Sequence, residues 1–181
     1  MQSAIRPIAA SRVTIVVIRR ERHGLTLTAL ESIRRNTAML YRLIYVDSGI
    51  PSWLRAELLR RAGEWPLEVT EFADAAWPNH LRKRIATVID TPYVVFVDND
   101  VTVAPGWLES LIACADETGA GIVCPLYMIG DAGTTKIHMA GGLLIRIEDP
   151  GGTLLVEQSL LKDHDLAEAG PGLRRRECDF A

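Results

Sequence analysis

Two carboxylates set two residues apart, Asp98 and Asp100, follow directly on the apolar run Tyr93-Val-Val-Phe-Val97. Alternate residues of an extended chain point to opposite sides. The pair therefore converges only if the chain turns there, or if one carboxylate takes a metal and the other a ligand hydroxyl. Carboxylate oxygens are hard ligands suited to Mg²⁺ or Mn²⁺, and phosphate oxygens complete the shell of such ions. A divalent cation bridging a diphosphate is the chemistry that wants this arrangement. The competing reading is an Asp that caps the turn after its strand. Asp47 ends an earlier apolar run, just before Ser48-Gly49. A carboxylate there can accept a hydrogen bond from a base or a ribose, while Asp-Ser-Gly is also turn chemistry in its own right.

Basic residues stand near both. Arg19 and Arg20 follow the first apolar run. They can grip a diphosphate through paired N–H donors, or form a solvated loop. Arg82-Lys83-Arg84 can neutralise phosphates or lie on a wet helix face. His138 and His164 are single histidines in irregular segments, with Asp163 and Asp165 flanking the second. Arg174 to Arg176 form a short basic run that would bind acidic headgroups only weakly.

The elements that must position these groups are readable. Val13-Thr-Ile-Val-Val-Ile18 is a β-branched run with a charged stop, the pattern of a strand buried on both faces. Leu27, Leu30 and Ile33 recur at helical spacing. Arg42 to Asp47 reads as a second strand. Pro51 sits near a helix start, and Trp53, Leu54, Leu58 and Leu59 make a stripe that stops at Gly63. Leu67 to Thr70 is a weaker strand, and residues 73–79 read as a loop. Leu81, Ile85, Val88 and Ile89 form a third helix face. Tyr93 to Val97 is the strongest strand, Pro105 opens a helix bearing Trp107, Leu108, Leu111 and Ile112, and Ala120 to Cys124 reads as one more strand. Alternation of this kind predicts an α/β fold, a mostly parallel sheet with helices on both faces, whose ligands bind at the carboxyl ends of the strands. Beyond residue 125, Gly141-Gly142, Gly151-Gly152 and short runs such as Leu143 to Ile147 and Thr153 to Val156 read as hairpins and loops.

Composition sets outer limits. The 181 residues are 48% hydrophobic and 24% charged, an ordinary globular mixture. A net charge of -3 offers no global positive field for a nucleic-acid backbone, so no nucleic-acid partner is expected. Cys114, Cys124 and Cys178 have no CxxC spacing, which disfavours a disulfide framework or a zinc site. No stretch approaches the roughly 20 apolar residues of a membrane span. The expected location is cytoplasmic, with peripheral membrane attachment left open.

Several segments together carry a resemblance. Val13-Thr-Ile-Val-Val, Leu30-Glu-Ser32, Ile44-Tyr-Val-Asp-Ser-Gly49, and Tyr93-Val-Val-Phe-Val-Asp-Asn-Asp100 followed by Val103-Ala-Pro-Gly-Trp-Leu108 resemble family 2 glycosyltransferases, in order, over about residues 13–125. The resemblance implies a GT-A fold, a Rossmann-like nucleotide-binding sandwich that transfers a sugar from a nucleotide-sugar with inversion. It implies that Asp47 contacts the base. It further implies that Asp98-Asn99-Asp100 is the DXD-type motif, in which Asp98 and Asn99 face the nucleotide-sugar while Asp98 and Asp100 hold Mn²⁺ or Mg²⁺. Arg82 matches the family's Ala-Arg-Asn segment, with Lys83 in place of Asn. The family's Pro-Thr-Tyr-Asn-Arg after the first strand corresponds to Ile18, Arg19, Arg20, Glu21 and Arg22, so only Arg22 is kept. Ile18, Arg19 and Arg22 are nonetheless placed at the donor.

The resemblance also implies that the general base is an acidic residue beyond Ala181, after a segment like Glu177-Cys178-Asp179-Phe180, so no catalytic residue is assigned within the chain and the chain alone may be inactive. Asp163 and Asp165 are the only internal candidates for that base. The expected organisation is a tail at 1–12, a donor-binding core at 13–125, and an incomplete acceptor-side region at 126–181. The expected partners are a UDP-, GDP- or TDP-sugar and a saccharide or lipid-linked acceptor, with a homodimer through an exposed sheet edge also compatible. Two alternatives stay open. In a haloacid-dehalogenase-like phosphatase Asp98 would be the nucleophile and Asp100 the acid/base. A non-catalytic nucleotide-binding domain would keep the fold without the reaction.

Overall fold

Every residue of Val13–Ile18 (β1) is buried, as a β-branched run without polar alternation requires. In the computed structural model, which describes residues 11–20, 22–72, 77–130, 136–170, 173 and 177–178, β1 lies at the centre of a four-stranded parallel sheet. Its neighbours are Arg42–Asp47 (β2) and Tyr93–Asp98 (β4), and Leu67–Glu71 (β3) flanks β2, giving the order β3-β2-β1-β4. The chain divides into two compact units, residues 1–112 and 113–181.

Period-two alternation splits the first unit's core into two layers. Val13, Ile15 and Val17 of β1 with Leu43 and Tyr45 of β2 face one way. They pack against Leu30 and Ile33 of α1 (Thr26–Asn36), Leu54 and Leu58 of α2 (Ser52–Ala62), and Leu108 and Ile112 of α4 (Trp107–Thr118). Val16, Ile18, Ile44 and Val46 face the other way, against Leu81 and Ile85 of α3 (Pro78–Ala86). The helix that carries the chain from β3 across to β4 thus lies on the face opposite α1 and α2. This reversal makes the junction of β1 and β4 a topological switch point, where open α/β sheets hold their ligands.

The helical stripes are narrower than their sequences suggest. Trp53 and Leu59 of α2 are exposed, and α3 stops at Ala86, leaving Val88 61% exposed. Pro78 and Asn79 are not loop but the first turn of α3, where proline's fixed φ and missing N–H cost nothing; residues 73–76 lie outside the described residues. Pro105 does not open α4. It sits with Gly106, at φ +74°, inside a turn closed by the Trp107 N–H donating to the Ala104 carbonyl, and the helix begins at Trp107.

In the second unit the strand expected at Ala120 to Cys124 does not form. Gly119 turns the chain at φ +68°, Pro125 lacks an N–H for a ladder, and Ile122 is left 85% exposed. Strand structure resumes as a short antiparallel pair, Tyr127–Met128 (β5) with Ile137–Met139 (β6). The expected hairpin forms as Gly142–Asp149 (β7) and Gly152–Ser159 (β8), in register from Gly142↔Ser159 to Asp149↔Gly152 around Pro150-Gly151. Its register puts Leu143, Ile145, Ile147, Leu154 and Val156 on one face, all exposed. Asp165 caps the short helix Leu166–Ala169 (α5) by accepting the Ala167 N–H at 3.1 Å. His138 is exposed on β6, and the Asp163 N–H donates to the Ile137 carbonyl. No described helix is long and apolar enough to cross a membrane.

Candidate functional site

The register Ile18↔Asp98 brings the ends of β1 and β4 level, so residues just beyond each strand meet at the carboxyl edge of the sheet. Asp98 is held from two sides. Arg82, one turn into α3, donates from Nη2 to Asp98 Oδ1 at 3.0 Å, and Arg20 Nε lies 3.8 Å from Oδ2. Arg82 is itself fixed by a second bond, from Nη1 to Asn79 Oδ1 at 2.8 Å, and by the Phe96 ring, 6.0 Å from its guanidinium. Asp100 is partly exposed, and its carboxylate has no hydrogen-bond or ion-pair partner among the described residues.

Asn99 points the other way. It is fully buried, accepts the Arg20 N–H at its side-chain oxygen, and donates from Nδ2 to Thr26 Oγ1 at 2.7 Å. Ile18 is also buried, its side chain in the α3-facing core layer and its carbonyl taking the Asn99 N–H at 3.0 Å. Arg22 is exposed and its guanidinium has no partner among the described residues. Arg19 bridges the connections after β1 and β2, donating from Nε to Ser48 Oγ at 2.8 Å.

Asp47 ends β2 with its side chain only 3% exposed. Its Oδ1 accepts the Gly49 and Ile50 N–H groups at 3.0 and 3.1 Å, so the turn spelled by Asp-Ser-Gly is formed, with Gly49 at φ +93°. Its Oδ2 lies 2.9 Å from Arg55 Nε. Beneath this edge Tyr45 is fully buried; its hydroxyl makes no hydrogen bond of normal geometry among the described residues, although the Thr26 hydroxyl is close enough to pull its pKa down. Burial pushes its pKa up to about 12, while nearby Asp47 and Arg19 act on it in opposite senses.

The structure therefore gathers Ile18, Arg20, Arg82, Asp98 and Asn99 at the β1–β4 junction, with Asp47 on the next strand. Lys83 goes elsewhere: it lines an open cleft of about 390 Å³ with Thr70, Phe72, Arg84, Thr87 and Val88. The sequence reading names Arg20 with Arg19 as a diphosphate grip but leaves Thr26 and Arg55 out of the site. Arg55 has the weak signal of sitting one turn into a helix that follows the turn at Asp47. Asp98 and Asp100 fit a hard divalent cation in the chemistry of their oxygens. No three His, Cys, Asp or Glu side chains are placed to hold a metal ion together among the described residues, so phosphate or water oxygens would have to complete such a shell.

The model of glycosyl transferase family 2 matches residues 14–177. No curated protein sequence matches the chain. Among solved structures it is similar to residues 1–349 of TarS from S. aureus in complex with UDP-GlcNAc, with a TM-score of 0.53 and 16% identity over 66% of this chain and 38% of that one. A second structure of the same TarS segment gives a TM-score of 0.56 and 15% identity over 72% and 40%. The chain spans about two-fifths of the length of these proteins. The likeness carries the fold, an α/β GT-A arrangement with its parallel four-stranded sheet flanked by helices. The phosphatase and non-catalytic alternatives find no support in these comparisons.

Proposed function

The chain belongs to glycosyl transferase family 2, and on that premise we propose that the β1–β4 edge binds the diphosphate of a nucleotide-sugar whose sugar is transferred with inversion to a saccharide or lipid-linked hydroxyl. The observation that carries this reading is Asp98, clasped by Arg82 and Arg20 beside Asp100, whose carboxylate has no partner among the described residues. Arg19, Arg20 and Arg22 bring positive charge to the same edge, enough to attract a diphosphate despite the acidic pair.

In the reaction the acceptor hydroxyl gives its proton to a carboxylate base, to which no described residue is assigned, and its oxygen bonds to the anomeric carbon as the bond to the diphosphate oxygen breaks and a nucleoside diphosphate leaves. Mg²⁺ or Mn²⁺, held by Asp98 and Asp100, would offset the charge that develops on that leaving group. Arg82 keeps Asp98 Oδ1 oriented, so the carboxylate need not reorganise as charge develops. Asp47 is the candidate for the base, and it would reach one only by sharing the Oδ2 now facing Arg55.

The test is calorimetric titration with UDP, GDP, TDP and CMP, each with and without Mn²⁺. UDP is the first choice, since the similar TarS structure is a complex with UDP-GlcNAc. Metal-dependent binding of one nucleotide supports the reading; a folded sample that binds none overturns it.

A further inference from the structure

Asn99 is the one buried member of its triplet, and its bonds all run to one stretch of chain. Its backbone N–H donates to the Ile18 carbonyl at 3.0 Å, and its Oδ1 accepts the Arg20 N–H. Its Nδ2 donates to Thr26 Oγ1 at 2.7 Å and reaches the Arg22 carbonyl at 3.4 Å. The orientation of the amide is unambiguous, because a backbone N–H can only donate and a backbone carbonyl can only accept. Both amide hydrogens are directed at protein acceptors, which leaves no donor for a ligand. Thr26, the first residue of α1, is equally buried, so the bond between them fixes the far end of the same stretch.

We infer that Asn99 is a positioning residue, which clamps the connection from Ile18 to Thr26 so that its arginines face the diphosphate, and which does not itself touch the donor. The inference rests on the donor-site reading above. It explains an asparagine between two aspartates. Aspartate would keep an acceptor for the Arg20 N–H, but it would lose both donors and bury a charge.

The test is amide hydrogen exchange in the wild type, Asn99→Ala, Thr26→Val and Thr26→Ser, with titration of inorganic pyrophosphate in Mn²⁺. In Asn99→Ala the Arg20 amide should exchange at least tenfold faster while β2 keeps its protection. Thr26→Val should give a smaller acceleration, and Thr26→Ser none. Pyrophosphate affinity should fall about tenfold in Asn99→Ala, and the substitution should have no further effect in an Arg19→Ala/Arg20→Ala/Arg22→Ala background. An unchanged Arg20 exchange rate overturns the inference, as does an undiminished loss of affinity in that background, which would mean direct contact. If the wild type binds no pyrophosphate, the donor-site reading fails and exchange alone decides the clamp. If Asn99→Ala does not fold, Thr26→Val decides it.

Discussion

Arg55 Nε lies 2.9 Å from Asp47 Oδ2, and the same guanidinium reaches Glu71 on the neighbouring strand. The buried carboxylate at the end of β2 is therefore already paired. Removing one partner of a buried pair costs roughly 3–5 kcal/mol, but Arg55 keeps 39% exposure, so water replaces part of the loss. Arg55→Ala should lower the urea unfolding midpoint, by less than the loss of a fully buried partner would. Asp47→Ala should cost more, since it also removes the acceptor of two turn N–H groups. It should weaken nucleoside binding about tenfold (~1.4 kcal/mol) with or without metal. A loss seen only with metal would move Asp47 from the base to the phosphate end.

Asp100 gives the converse expectation. Its carboxylate is partly exposed and makes no bond among the described residues, so Asp100→Ala should change stability by no more than about 0.5 kcal/mol. The same variant should abolish the Mn²⁺-dependent part of nucleotide binding. Calorimetry with and without Mn²⁺ decides it, and unchanged affinity would sink the metal assignment.

Arg19 separates phosphate contacts from base contacts. Its Nε is committed to Ser48, while its terminal nitrogens have no partner among the described residues. Arg19→Ala should weaken nucleoside diphosphate binding about tenfold, leave nucleoside binding unchanged, and flatten the salt dependence, because a guanidinium recognises phosphate through charge-assisted bonds. Titrations at two ionic strengths read all of these.

The sheet and the places where it could act are legible because they depend on local pattern. An unbroken β-branched run such as Val13–Ile18 can only be a strand covered on both faces, and Asp47 and Asp98 sit where such runs end. What the pattern conceals is the direction of each polar side chain. Asn99 and Asp100 are adjacent, yet one is buried and the other partly open, since Asn99 bonds to residues more than seventy positions away. Arg55 and Thr26 are missed for the same reason. The apolar run Ala120 to Cys124 shows the opposite failure: strand composition between a left-handed glycine and a proline produced no strand.

Tyr45 yields a prediction in alkaline solution. Burial holds its hydroxyl protonated up to about 12, against about 10 in an unfolded chain. Above pH 10 the unfolded chain loses this proton first and so binds fewer protons than the native state. Stability from this group is therefore complete below pH 10 and is lost as pH rises toward 12. The loss should be on the order of 2 kcal/mol, read from urea midpoints between pH 9 and pH 12. Tyr45→Phe should be close to neutral at pH 7, because the hydroxyl it deletes makes no hydrogen bond of normal geometry among the described residues. It should also remove most of the alkaline slope, leaving the parts due to Tyr41 and Cys124, whose pKa values burial also raises. Equal slopes in the two proteins would mean that the Tyr45 hydroxyl is hydrated in the native state, with a water entering between β2 and the start of α1.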